Sequence, residues 1–248
     1  MRMTLLLGVV GVLAWAAAWI MRCRPILPTF IDPSRTGKRA LLATGAACLA
    51  TTLLLLVLLP VARQVNHTQT LTFALIALAT AAQASFLAVW IATAAIFMFR
   101  DKEPLATAGL TRRNLWRSIL LGLLISLLCC GTMVGKSLGK IQPLHLLLLV
   151  PNFETAFGEE FFFRGYLQSR LMSWLGKLPG WLAASVIMVL VHFPTLLFVR
   201  EFDLQQAGVW CASTLAISLL LGWLMWRTGN IAASVILHLF ANWINSFR

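Results

Sequence analysis

Pro151-Asn152-Phe153-Glu154-Thr155-Ala156-Phe157-Gly158-Glu159-Glu160-Phe161-Phe162-Phe163-Arg164-Gly165-Tyr166 is the stretch on which the fold turns. It lies inside an apolar run from 144 to 172, yet it holds three carboxylates and one guanidinium. A hydrocarbon core about 30 Å thick is crossed by roughly 20 apolar residues of helix, so the run is long enough to span a membrane. A charge near the bilayer centre costs about 2.5–3.5 kcal/mol on insertion scales. Charges in such a run therefore need partners within the protein.

The rest of the chain agrees with a membrane setting. Of its 248 residues, 60% are apolar and 11% charged, against about 45–50% and about 25% in soluble domains. So few charges cannot cover a soluble fold of this length, and a soluble domain is excluded. Apolar runs fall near 3–21, 40–62, 71–99, 118–135, 144–172, 181–199, 209–226 and 231–247. They predict an all-α polytopic protein of about eight transmembrane helices. The first run resembles a signal peptide but is too long for its apolar core and ends in Arg22 and Arg24, so it is read as a retained span.

The formal charge of +12 comes from 20 Lys and Arg against 8 Asp and Glu. Nucleic-acid binders gather cations on one face of a polar domain. Here they sit between apolar runs, which argues for topology and against a nucleic-acid partner. Thirteen cations follow odd-numbered runs, six lie on the opposite side, and Arg164 is inside a run. The positive-inside rule then places both termini outside the cytoplasm. Cys23, Cys48, Cys129, Cys130 and Cys211 form no C-x-x-C pair and read as small packing residues.

Three motif-like stretches carry no function. Gly135-Lys136-Ser137-Leu138-Gly139 matches G-x-S-x-G, but that elbow works on a strand-to-helix turn and is expected here in an interhelical loop. Gly131-Thr132-Met133-Val134-Gly135-Lys136-Ser137 has three residues between its glycines where a phosphate loop has four. Asn66-His67-Thr68 is a glycosylation triplet of a kind that arises by chance.

On a regular helix Glu160 and Arg164 are four apart and can pair. Glu159 points about 100° away, so it has no built-in counter-ion and can face a cavity. Glu154, one and a half turns earlier, is read as structural or gating. Two further polar islands follow: His192 in the run 181–199, and His238 with Asn242, four apart on one face, in the run 231–247. Such groups on separate apolar helices are costly unless they meet. A carboxylate, two imidazoles and an amide suit acyl hydrolysis by water. Glu159 and His192 would orient and deprotonate the water, and His238 and Asn242 would hold the oxyanion.

Glu159-Glu160-x-x-x-Arg164, then His192, then His238-x-x-x-Asn242 resembles the CPBP family of intramembrane proteases, which includes the Rce1-like CAAX proteases and bacterial abortive-infection-type relatives. The flanks Phe163-Arg164-Gly165-Tyr166-Leu167 and Arg227-Thr228-Gly229-Asn230-Ile231 are also similar. One departure is Met188, where the family's second motif usually has an aromatic residue. The resemblance implies an eight-helix membrane protease with its active site in a cavity among the C-terminal four helices. Glu159, His192, His238 and Asn242 would be catalytic, and Glu160 and Arg164 supporting. A single membrane domain is expected over 1–248, with N-terminal helices in 1–143 and a catalytic core in 144–248. The implied partners are membrane lipid and a membrane-delivered peptide, the implied location the bacterial inner membrane, and no cofactor is required.

Alternatives from other classes remain. Glu159, His192 and His238 are also a possible zinc ligand set, although H-E-x-x-H is absent. The same polar cavity would serve a transporter or a non-catalytic scaffold. Haem on His192 and His238 leaves Glu159 and Asn242 unexplained. An aspartate-type protease is excluded because Asp32, Asp101 and Asp203 fall in predicted loops.

Overall fold

A computed structural model describes residues 2–23, 28–67, 72–137 and 143–246. Among the described residues the chain is helical and has no strand. The N-terminal helices are α1 (Arg2–Ile20), α2 (Pro33–His67), α3 (Phe73–Arg100) and α4 (Leu115–Ser137). They are followed by α5 (Pro143–Leu147), α6 (Leu149–Glu159), a π-helical segment (Glu160–Gln168) and α7 (Ser169–Leu175). The last four are α8 (Lys177–Leu190), α9 (Phe193–Phe198), α10 (Leu204–Thr228) and α11 (Ala232–Asn245).

The eight apolar runs thus take three forms. Four helical stretches are long and apolar enough to cross a membrane: Pro33–Pro60, Phe73–Arg100, Lys177–Phe198 and Leu204–Thr228. Val10–Ile20, Leu115–Cys129 and Ala232–Asn245 are shorter apolar helices. The fifth run is not one helix but the succession from α5 to α7. Large side chains such as Trp15, Leu42, Val57, Phe99 and Leu127 remain exposed. Apolar surface of that extent belongs against lipid.

Without a hydrophobic drive between helices in lipid, association depends on close packing and interhelical hydrogen bonds. The α4–α11 contact uses both. A Cβ on Gly122 would stand 2.9 Å from the backbone of Ala233. Ser118 Oγ accepts from the Ala233 N–H at 2.9 Å, and Ser234 donates to Leu221 O on α10 at 2.9 Å. The turn before α11 is tied down as well. Asn230 donates to Thr111 O and accepts from the Ala232 N–H, and Asn114 donates to Thr228 O. These bonds fix where α11 starts and therefore where its side chains point.

Two sequence expectations change. Arg170, counted among loop cations, is buried in α7, where it pairs with Glu103 and stacks on Tyr166. Glu103, just past the end of α3, is thus the partner of a buried cation. Gly135, Lys136 and Ser137 continue α4 to its end instead of forming a loop, while Leu138 and Gly139 lie outside the described residues. Asn66 and His67 end α2, and Thr68 of that triplet also lies outside them.

The α4–α11 contact can be tested with a matched pair of helix glycines. Gly122→Ala should destabilise the folded protein by about 1–3 kcal/mol through overpacking. Gly45→Ala on α2, with open space around its Cβ, should be neutral or gain up to about 1 kcal/mol. Thermal unfolding of the two variants in detergent checks the difference.

Candidate active site

Glu159 closes α6, and Glu160 opens the π-helical segment. Bonding from i to i+5 is rare and concentrates at functional sites. A regular α-helix was expected here; the ion pair it predicted forms all the same. Arg164 Nε lies 3.3 Å from Glu160 Oε2, with both side chains 0% exposed. The segment is buried along its whole length. Phe162 and Phe163 pack on Trp90 of α3, with ring centroids 4.6 and 5.0 Å apart. On its other side, a Cβ on Gly165 would collide with the carbonyl of Ala108, so only glycine lets that loop approach.

His192 stands at a break in its apolar run. Pro194 can neither donate to the Leu190 carbonyl nor avoid it, so α8 ends at Leu190. The tightened turn sends the His192 N–H to Val189 O at 3.2 Å. That leaves the Met188 carbonyl for the ring, whose Nδ1 lies 2.7 Å away. A carbonyl only accepts, so Nδ1 carries the hydrogen and Nε2 is directed elsewhere. Trp210 of α10 packs on the same ring at 5.3 Å between centroids.

His238 is held the same way by a different group. Its Nδ1 donates to Glu160 Oε1 at 2.9 Å. Both rings therefore present Nε2, and both face one carboxylate. His192 Nε2 is 3.7 Å from Glu159 Oε1, and His238 Nε2 is 3.8 Å from Glu159 Oε2. These separations exceed a direct hydrogen bond. With neutral rings, three acceptors converge and no donor stands between them. A water molecule supplies two hydrogens to such a site.

The structure thus brings Glu159, His192, His238, Glu160 and Arg164 into one connected cluster. Asn242 follows His238 by one turn of α11, half-buried, and its side-chain amide makes no hydrogen bond among the described residues. That leaves its donors open to an incoming ligand. Glu154 stays outside the cluster; its Oε2 is buried and unbonded among the described residues. Glu159, His192 and His238 are a donor set that zinc accepts. Among the described residues, however, no three His, Cys, Asp or Glu groups are arranged to hold a metal ion.

Three contributors escaped the sequence reading: Ser218, Trp210 and the backbone of Met188. Ser218 and Trp210 sit on α10, which carries no motif, and a serine in an apolar helix ordinarily bonds its own backbone. The backbone role of Met188 follows only from the helix break, for which Pro194 was the available signal.

Residues 141–244, which carry all three motifs, match the family model Rce1-like, described as type II CAAX prenyl endopeptidase Rce1-like. The match agrees with the resemblance read from the motifs. Neither the curated proteins nor the solved structures contain a significant match to the chain.

The buried pair allows a direct test. Arg164→Met leaves Glu160 without its cation and should cost about 3–5 kcal/mol of stability, the usual penalty for breaking a buried pair. Adding Glu160→Gln should recover part of that loss. Denaturant unfolding of the single and double variants in detergent measures both.

Proposed function

We propose that the chain is an intramembrane endopeptidase that hydrolyses a peptide bond of a membrane-associated or C-terminal, CAAX-like peptide. The observation that carries this reading is the Glu159 carboxylate facing two imidazole nitrogens at 3.7 and 3.8 Å. A water donating to Glu159 and to His192 Nε2 keeps its lone pairs free to attack a carbonyl carbon. As the C–O bond forms, the carboxylate takes the proton. The negative charge moves to the former carbonyl oxygen, where the Asn242 amide and an Nε2–H of His238 act as donors. Collapse breaks the C–N bond, and the amine leaves with the proton that Glu159 took.

Glu160 supports the donor role of His238. A buried carboxylate on Nδ1 fixes the ring and favours the imidazolium that must offer a hydrogen from Nε2. The adjacent carboxylates thus take separate parts: Glu159 works on water, and Glu160 works on a histidine. The chemistry balances without a cofactor. Membrane lipid and a peptide delivered through it are the partners that fit an apolar, multi-pass chain. The +12 charge and its loop distribution suit a bacterial inner-membrane protein with both termini outside the cytoplasm.

Purified Glu159→Gln should lose cleavage of a prenylated CAAX-type peptide while keeping its unfolding temperature, and His238→Ala should lose cleavage while staying folded. Full activity in either would sink the mechanism. Asn242→Ala should lower kcat by about 10²–10³-fold, the effect of removing one oxyanion donor. Activity should persist after chelation, with no stoichiometric zinc by metal analysis. Loss on chelation and recovery with zinc would instead favour Glu159, His192 and His238 as ligands.

A further inference from the structure

Arg164 is completely buried, and beyond Glu160 it has two other partners, neither assigned a role in the proposed chemistry. Its Nη2 donates to Ser218 Oγ at 3.2 Å and also contacts Met188 Sδ. Ser218 Oγ is 3.7 Å from that sulfur and donates to Ser185 O at 3.2 Å. Ser218 on α10 and Met188 on α8 therefore close a pocket around the far end of the guanidinium. The near end faces Glu160, and Glu160 holds His238 Nδ1. The contacts run without interruption from α10 to the imidazole.

We propose that Ser218, together with the thioether of Met188, is a positioning pair that sets the orientation of His238 through Arg164 and Glu160. The catalytic meaning of this inference rests on the peptidase reading above; the conformational meaning does not. A guanidinium carries five N–H donors in a rigid fork. Its rotation about the side-chain axis decides where Nε points, and hence where Glu160 sits. An acceptor at one end of the fork fixes that rotation. Met188 occupies a position that the resembling family usually fills with an aromatic ring. A ring would meet the cation through its face, whereas sulfur is a weak in-plane acceptor. In this chain the hydroxyl of Ser218 shares that task.

Variants Ser218→Ala, Met188→Leu and the double variant in the full-length protein test the proposal. Ser218→Thr keeps the hydroxyl, and Ser213→Ala, a half-buried serine on the same helix that bonds only its own helix backbone, is the control. Two readouts are needed. In detergent, ¹⁵N spectra of histidine-labelled protein report the hydrogen on His238 Nδ1, with His238→Ala assigning the signal. Cleavage of a fluorogenic prenylated CAAX-type peptide gives kcat and KM separately. The double variant should move the His238 nitrogen signals and lower kcat about tenfold, with KM within about twofold. Ser218→Thr and Ser213→Ala should leave both readouts as in the parent. Unchanged His238 signals in the double variant overturn the proposal. So does a lower unfolding temperature with kcat of the folded protein unchanged, which marks Ser218 as helix packing only. If Glu159→Gln cleaves like the parent, the peptidase reading fails, and the nitrogen spectra still decide the positioning.

Discussion

The bilayer's intolerance of unpaired charge is the constraint from which the architecture follows. Glu160 and Arg164 have fully buried side chains, and neither is sustainable there alone. Their pairing explains why the surrounding segment is completely enclosed. The enclosure is built from several helices, with Trp90 of α3 on one side, Met188 of α8 and Ser218 of α10 on another, and the Ala108 loop closing over Gly165. Removing any wall would expose the pair to lipid, where nothing compensates it. The second buried cation, Arg170, repeats the solution with Glu103, Thr107 and the faces of Tyr166 and Phe30.

The same enclosure orients the chemistry. Glu160 has two oxygens, one beside Arg164 and the other on His238 Nδ1. The charge that must be neutralised for the chain to fold is also the charge that selects the histidine's tautomer. His192 reaches the same tautomer without any charge, because a proline-induced break frees a carbonyl for its Nδ1. Two unrelated local devices thus present two Nε2 atoms to one carboxylate.

The helices and the identity of the polar cluster were legible in the sequence, because apolar length and isolated ionisable residues are one-dimensional signals. Every apolar run from 3–21 to 231–247 contains helix. The division of the fifth run was not legible, since π-helical bonding leaves no periodic trace distinct from an α-helix over nine residues. Glu160 and Arg164 could be paired from spacing, but the bond from Glu160 to His238 spans 78 positions. No local pattern encodes it. Arg170 was read as a loop cation because its partner Glu103 lies 67 positions away. Ser218 shows the opposite difficulty: its role depends wholly on what α10 packs against, and a lone serine in Leu204–Thr228 has no pattern of its own.

Two neighbouring glutamates of identical chemistry end with different capacities, and environment alone separates them. Glu160 is 0% exposed, with both oxygens committed to a guanidinium and an imidazole N–H. Those two contacts hold the carboxylate in one orientation. The Glu159 side chain keeps 19% exposure, and its oxygens face the Nε2 atoms of His192 and His238 across gaps too long for hydrogen bonds. In the proposed reaction Glu159 is the group that takes a proton from water and returns it. Glu160 cannot exchange roles with it without dismantling the pair that lets the segment lie within the membrane.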